Sequence, residues 1–236
     1  MHINISNLKH ALVGQVDRNN VVANNLANIN TTGFKKDLVF FDAFGEELEK
    51  RQGQVHSVDH TQGQLKKTEN SLDFAISSRG FFNVETDRGV AYTREGHFKM
   101  DDDGMLRTAS GHLVMGETGP IILLGENIKP EMVTVTHNGE VYRENEYVDR
   151  LKITDFEDKE SLKKIGDNLF EAGDDAIKED VFESEIHQGY LEDSNVNPAQ
   201  EMIQLIEVQR QFESLQKMVR SLDEVFQTAA NQVGRY

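Results

Sequence analysis

Residues 198–233 read PAQEMIQLIEVQRQFESLQKMVRSLDEVFQTAANQV, and this stretch decides the structure of the chain ends. Apolar residues recur in it at alternating spacings of three and four, and they form one stripe: Leu205, Val208, Phe212, Leu215, Val219, Leu222, Phe226, Ala229 and Val233. A stripe with heptad spacing lies on one face of a helix, and that face must pack against something. Asn197 suits the N-cap, Pro198 the first turn and Gly234 the end. The stretch therefore predicts a long amphipathic C-terminal helix.

The N-terminal residues carry a weaker stripe of the same kind. It contains Ile5, Leu8, Leu12, Gln15, Asn19, Val22, Leu26 and Ile29. The Asn-rich run and Gly33 predict that this helix ends near Asn28–Asn30. Residues 1–36 hold four bases against one acid, and residues 188–236 hold four bases against seven acids, so the two helices are expected to pair. Periodicity leaves two interpretations open, a helix pair that closes a monomer and a stripe that neighbouring subunits bury.

The composition of the 236-residue chain excludes several classes of protein. Its net charge of −16 disfavours binding to nucleic acid or to an anionic membrane. The absence of Cys removes disulfides and thiolate chemistry. No apolar run is long enough for a membrane-spanning helix, and the first residues lack the layout of a secretory signal peptide.

The middle of the chain changes to the period of β-structure. From about residue 72 to 156, short alternating runs are separated by the hairpin dipeptides Asp103-Gly104, Ser110-Gly111 and Asn138-Gly139. Residues 37–71 are predicted to be an extended connector, and residues 157–187 an acidic, irregular tail with one short helix. The predicted fold class is α+β. A helical terminal domain (1–36 plus 188–236), packed like a coiled coil, flanks a central antiparallel β domain (72–187).

Three patterns suggest chemistry, and each fails on its spacing. Asp101-Asp102-Asp103-Gly104 does not continue as a calcium-binding EF-hand loop and is better read as a turn. His56 and His60 lack both a helical pattern and the Glu of a zinc-protease motif. Ser161 and Lys164 have the Ser-x-x-Lys spacing, but no partner motif accompanies them. We therefore predict no catalytic residue, no metal site and no cofactor.

The sequence also resembles a known protein family, and this resemblance indicates a function that the spacing of residues alone does not. Residues 23–35, ANNLANINTTGFK, resemble the N-terminal signature of the bacterial flagellar rod and hook family. Residues 72–84, 92–98, 103–106 and 189–198 resemble later blocks of that family, in the same order. The motif positions are Asn24, Asn25, Leu26, Ala27, Asn28, Gly33, Phe34, Ser194, Asn195 and Val196.

The resemblance implies a structural subunit of the flagellar basal-body rod that passes torque from motor to hook. Residues 116–121 and 210–213 are similar to the proximal-rod branch of the family, and residues 165–170 to the distal-rod branch. The implied partners are other copies of the chain, neighbouring rod proteins and the flagellar type III export apparatus, with no nucleic acid and no small-molecule substrate. The expected assembly interface consists of Leu205, Val208, Phe212, Leu215, Val219, Leu222, Phe226, Ile5, Leu8, Leu12, Val22 and Leu26.

Two alternatives belong to other classes. A cell-wall hydrolase beside the rod would need a carboxylate pair in a cleft, and no such pair is recognisable in the sequence. A cytoplasmic coiled-coil adaptor would function without export.

Overall fold

The computed structural model describes residues 5–40, 55–123, 129–173, 176–181 and 185–233. Its described residues form two compact units, each discontinuous in sequence. The helical unit draws on Met1–Ala27, Asp37–Ser57 and Val196–Tyr236, and the β unit on Asn28–Lys36 and Val58–Asn195. The chain thus passes between the units four times. The sequence predicts a division of the chain by function into a tube-forming terminal domain, a connector and a β domain, and this division stays a prediction.

Two α-helices lie in the helical unit, α1 (Ile5–Ala27) and α2 (Pro198–Val233). The predicted start of α2 is confirmed, because Asn197 Oδ1 accepts hydrogen bonds from the backbone N of Ala199 at 3.1 Å and of Gln200 at 3.3 Å. The end of α1 also falls next to its predicted boundary. Gly234, the predicted end of α2, lies outside the described residues. Neither α1 nor α2, as far as each is described, is apolar enough over a sufficient length to cross a membrane.

The predicted fold class is wrong about the helical domain. The described residues contain these two α-helices around a large set of antiparallel strands, not a long coiled-coil domain. Polar Gln15 and Asn19 interrupt the stripe of α1, and this helix of 23 residues faces an α2 of 36. One short partner cannot enclose the α2 stripe, so Val208 is its one fully buried member among the described side chains.

Eighteen strands are described, and most have three to five residues. In chain order they are β1 (Asp37–Phe40), β2 (Val55–Val58), β3 (Leu65–Lys67), β4 (Phe74–Ile76), β5 (Phe81–Thr86), β6 (Gly89–Thr93), β7 (Phe98–Met100), β8 (Leu106–Thr108), β9 (Leu113–Val114), β10 (Val133–Val135), β11 (Glu140–Arg143), β12 (Glu146–Arg150), β13 (Ile153–Phe156), β14 (Leu162–Gly166), β15 (Leu169–Ala172), β16 (Lys178–Asp180), β17 (Ile186–Gln188) and β18 (Tyr190–Glu192). Short 3-10 turns occupy Pro130–Met132 and Lys159–Ser161.

The main sheet of the β unit has nine strands. Its order is β14-β15-β6-β5-β9-β8-β7, and β13 pairs with both β5 and β16. Smaller antiparallel sheets join β10-β11-β12, β17 with β4, and β18 with β3. Strand β5 is covered on both faces, because Phe82 and Val84 belong to one apolar cluster while Phe81 belongs to another. This double burial follows from the alternation of side chains along a strand.

The three hairpin dipeptides are confirmed as turns. Asp103-Gly104 connects β7 to β8, Ser110-Gly111 connects β8 to β9, and Asn138-Gly139 connects β10 to β11. The acidic residues 157–187 differ from their predicted irregular structure, because β14 and β15 form a hairpin there. Its turn, Gly166-Asp167-Asn168, has positive φ at all three residues, which Gly, Asp and Asn tolerate best.

Candidate functional site

The predicted assembly stripe of α2 coincides with its buried side. Helices α1 and α2 run antiparallel, since Gln15 Nε2 donates to Gln211 Oε1 at 2.9 Å while Asn25, near the other end of α1, bonds to Glu201. Val208 is 2% exposed, and the other described members of the stripe are partly buried: Leu205, Phe212, Leu215, Val219 and Leu222. On α1, Leu8 and Val22 are buried, and Leu12 and Leu26 are partly buried. The side chains of Ile5 and Phe226 lie outside the described part.

A second set of apolar side chains on the helices is exposed. Val13 and Val16 lie on α1; Met202, Ile203, Ile206, Met218 and Val225 lie on α2. Among Met202, Ile203 and Ile206, which lie near the start of α2, Ile203 is the most exposed, at 59%. Sequence reasoning missed this set because it followed a single stripe, although the spacing of Ile203 and Ile206 was a visible signal. The helical unit therefore carries two apolar surfaces, one facing its own partner helix and one facing outward.

Asn25 of the Asn-rich motif joins three elements of the helical unit. Its Nδ2 donates to the backbone O of Asp37 at 2.9 Å and to Glu201 Oε2 at 3.3 Å. Its Oδ1 accepts from the backbone N of Asp37 at 2.9 Å. Asn25 and Glu201 are almost completely buried, so each polar group needs the other to offset its loss of water. The side chain thereby fixes the end of α1 against β1 and the first turn of α2, and Asn24 adds a bond to Asp37 Oδ2.

Gly33 is the point at which the segment after α1 packs closely against the backbone of residues 94–95 in the β unit. Its φ is +68°, and its backbone N donates to Glu192 O at 2.7 Å. A methyl group at this position would lie 2.4 Å from the backbone N of Glu95, so both the turn and the close approach require glycine. Phe34 follows, buried, with Lys164 Nζ 4.2 Å from the centre of its ring.

Lys35 lies in a buried ion-pair network with Glu192 and Arg94. Its Nζ is 2.5 Å from Glu192 Oε1 and 2.7 Å from the backbone O of Thr61. Glu192 Oε2 is 3.4 Å from Arg94 Nη1, and its Oε1 also accepts from the backbone N of Gly63. Lys35 and Glu192 are each about 1% exposed. Such a charge cluster is tolerated only when each member is paired and hydrogen-bonded.

Asn195 brings the same three segments together a second time. Its Oδ1 accepts from the backbone N of Lys36 at 2.8 Å, and its Nδ2 donates to the backbone O of Asp59 at 2.8 Å. The backbone N of Asp59 in turn donates to Lys36 O at 2.8 Å. We call these three segments, residues 33–36, 59–64 and 190–195, the clasp. Motif residues from both ends of the chain thus meet within the β unit.

The other motif residues surround these two centres. Thr31 Oγ1 donates to Asn28 Oδ1, which stabilises the turn after α1. Leu26 is partly buried and Ala27 exposed, whereas Val196 is buried in the helical unit. Ser194 lies between Asn195 and the end of β18. Lys35 and Glu192 lie within the family blocks of the sequence, but nothing in a sequence shows that two charged residues so far apart are paired.

Burial sets the electrostatics of the clasp and its surroundings. Loss of water lowers the pKa of Lys35, and the Glu192 carboxylate opposes that shift. Burial lowers the pKa of Arg94 in the same way. His60, between the rings of Phe81 and Phe170, has its pKa lowered to about 4 by burial and then by nearby lysines.

Two of the three candidate chemistries of the sequence, at Asp101 and at Ser161 with Lys164, have described side chains that bond to nearby backbone groups. Asp101 Oδ1 accepts from the backbone N of Asp103 and Met105, so this carboxylate closes a turn. Ser161 Oγ donates to Asp158 O, and Lys164 Nζ donates to Lys35 O, so the two side chains have separate partners. His56 has no described side chain, and the described residues contain no group of three or more potential metal ligands.

One Ser–His pair was missed at the level of sequence. His187 Nε2 lies 3.1 Å from Ser77 Oγ, and Ser77 Oγ lies 3.0 Å from Glu185 Oε2. Ser77 Oγ also lies 3.3 Å from the backbone O of Glu185, so the Ser77 hydroxyl has two oxygen acceptors on Glu185 beside the histidine ring. The arrangement is a hydrogen-bond chain that joins the residues next to β4 and β17.

Comparison with known proteins places these motifs in a family. Three family models match: Flagella basal body rod protein at residues 11–35, Flagellar hook protein FlgE/F/G D1 domain at 75–143, and Flagellar basal body rod FlgEFG protein C-terminal at 187–233. The flagellar basal-body rod protein FlgF of Caulobacter vibrioides is 36% identical over 225 residues, covering 91% of each chain. The chain belongs to the flagellar basal-body rod protein family.

Other rod proteins are similar over comparable lengths. The FlgG rod protein of Buchnera aphidicola from Schizaphis graminum is 31% identical and covers 93% of this chain and 95% of its own. The FlgF rod protein of Mesorhizobium japonicum is 31% identical and covers 89% of this chain and 91% of its own. The chain is accordingly a structural subunit of the flagellar rod, located in the basal body. Membership of a structural family implies that it is not an enzyme and that it assembles with other rod components.

Proposed function

We propose that this rod protein occupies the proximal part of the rod, as a FlgF-type subunit. Support comes from its 36% identity to the Caulobacter FlgF protein, compared with 31% to the Buchnera FlgG protein. Complementation tests the assignment, because the gene should restore swimming to a strain that lacks FlgF but not to one that lacks FlgG. Rescue of the FlgG-deficient strain alone would contradict it. Delivery by the flagellar type III export apparatus is part of the same proposal.

We further propose that the subunit assembles with its neighbours through the outer surface of the helical unit. The observation that carries this is the exposed apolar set on α1 and α2, above all Met202, Ile203 and Ile206 in the first turns of α2. Apolar side chains left in water on a structural subunit mark a surface that another chain covers. The partly buried stripe residues, such as Leu215 and Leu222, would complete their burial in the same contacts.

Paired substitutions distinguish assembly from folding. Ile203→Asp with Ile206→Asp places charge on the exposed set without touching the side of α2 that faces α1. We expect this protein to fold and melt as the wild type does but to be missing from purified basal bodies, with loss of swimming. Gln216→Asp adds one negative charge at an exposed polar position of α2 and should support swimming. Normal swimming of the Ile203/Ile206 variant would refute the proposal.

A further inference from the structure

The clasp joins segments from opposite ends of the sequence. Lys35 comes directly after the Asn-rich motif, whereas Glu192 ends β18, 157 residues later. The segment 59–64 contributes two backbone hydrogen-bonding groups to the pair, the O of Thr61 and the N of Gly63. Its Asp59 carboxylate attracts the Lys35 ammonium less than Glu192 does, so most of the balancing charge is supplied by the far end of the chain.

The Lys35 ammonium depends more on Glu192 than the Glu192 carboxylate depends on Lys35. Glu192 has two cationic partners, because Arg94 lies on its other carboxylate oxygen. Among the described residues, Glu192 is the one ion-pair partner whose carboxylate oxygen lies within 4 Å of Lys35 Nζ. Without Glu192, a fully buried ammonium would keep one carbonyl and the weaker attraction of the Asp59 carboxylate, and such a poorly compensated charge is strongly unfavourable. Without Lys35, Glu192 would still be balanced by Arg94.

We propose that the Lys35–Glu192 pair is a latch that makes the order of the N-terminal motif segment, residues 28–36, conditional on β18 being in place. The Lys35 side chain can be buried in the β unit only together with Glu192. In a chain in which one of the two ends is not yet present, residues 28–36 therefore cannot pack in their ordered arrangement. The nine-strand sheet does not share this condition, because its apolar clusters contain neither residue. The latch thus separates two events, formation of the sheet and closure of the motif segment.

The consequence for the rod rests on the proposed function. A subunit that is exported unfolded, with one end of the chain leading, would order its Asn-rich motif only after the entire chain had been exported. Incompletely delivered chains would then lack one of the ordered motifs. Closure itself is a property of the isolated protein, so it can be tested whether or not the proposed assembly surface is correct.

Amide hydrogen exchange of the full-length protein, resolved by residue, measures closure directly. The reporters are the backbone amides of Gly33, Lys36 and Asp59. Their hydrogen bonds lie within the clasp, and none of them involves the side-chain ammonium of Lys35 or the side-chain carboxylate of Glu192. Amides of β5 and β6 report on the sheet. In Glu192→Gln we expect the reporters to exchange about a hundredfold faster or more, as befits the loss of one partner of a buried pair, while the sheet amides keep their protection.

Three further variants complete the test. Lys35→Met, which leaves Glu192 with Arg94, should accelerate the reporters by roughly tenfold or less. Adding Lys35→Met to Glu192→Gln removes the uncompensated ammonium and should restore protection relative to Glu192→Gln alone. Lys67→Met breaks the exposed Lys67–Glu69 pair, whose N–O distance is 3.1 Å, and should change nothing. Unchanged reporters in Glu192→Gln, equal acceleration of reporters and sheet, or no rescue by Lys35→Met would each overturn the latch.

Discussion

Replacing Gly33 by Ala tests the turn at which the motif segment packs against the backbone of Arg94 and Glu95. The positive φ of +68° is strained for alanine and costs about 1–2 kcal/mol of the free energy of unfolding. The added methyl group would also lie 2.4 Å from the backbone N of Glu95 and 2.6 Å from the backbone C of Arg94. Those backbone atoms cannot rotate away as a side chain can, so the overlap adds about 1–3 kcal/mol. The expected loss is therefore about 2–5 kcal/mol in total.

Gly189→Ala is the matched control for this substitution. Its φ is +77°, nearly the same as that of Gly33, but the nearest atom to a new methyl group is the Cα of Glu69 at 3.8 Å. This variant should lose only the conformational part, about 1–2 kcal/mol. The difference between the two variants isolates the contact with the backbone of Arg94 and Glu95.

Urea unfolding followed by tyrosine fluorescence provides the assay. The chain has no tryptophan, and four of its five tyrosines, Tyr92, Tyr142, Tyr147 and Tyr190, lie in the β unit, so most of the signal reports on that unit. We expect Gly33→Ala to have a free energy of unfolding about 1–3 kcal/mol below that of Gly189→Ala. Equal values for the two variants would show that the close approach at Gly33 contributes nothing, and the reasoning would be refuted.

Two other predictions concern buried polar groups. Because the pKa of His60 is about 4 in the folded protein and near 6.5 when unfolded, the unfolded chain binds more protons between these values. Stability should thus fall by roughly 2 kcal/mol as the pH drops from 6.5 to 4, and His60→Leu should flatten this slope in urea titrations at each pH. Asn25→Leu removes the three hydrogen bonds that join Asn25 to Asp37 and Glu201 and should cost about 2–4 kcal/mol of the free energy of unfolding, read from the helical circular dichroism signal on heating. The exposed Asn24→Ala should cost less than 1 kcal/mol, and equal losses would contradict the role of Asn25.

Local patterns predicted the local structure well. The cap at Asn197, the end of α1 and the three Gly-containing hairpins depend on neighbouring residues, and each is confirmed. The hairpin at Gly166 was missed because its acidic surroundings were given more weight than its turn residues. Charge along a sequence reports on solvent exposure, whereas a strand needs only a few buried apolar side chains, and here Leu169 packs in one apolar cluster and Phe170 in the other.

Long-range pairing was beyond what the sequence could predict. The coiled-coil expectation failed because periodicity describes one helix and not the length or polarity of its partner. Lys35 and Glu192 would each be placed at the surface by residue type, since isolated charges are rarely buried. Their burial becomes reasonable only when both are seen together. The family motif was recognised from the sequence, but the contacts that explain its residues appear only in the structure.

The fourfold passage of the chain between its two units has a genetic consequence. The gene cannot be divided at one point into a half that encodes the helices and a half that encodes the sheet. A single recombination event between related genes would combine α1 of one parent with α2 of the other, and would likewise separate the codons for Asn25 and Glu201. Functional hybrids between rod genes should therefore require paired exchange points, one in each flank, so that both ends are inherited from the same parent.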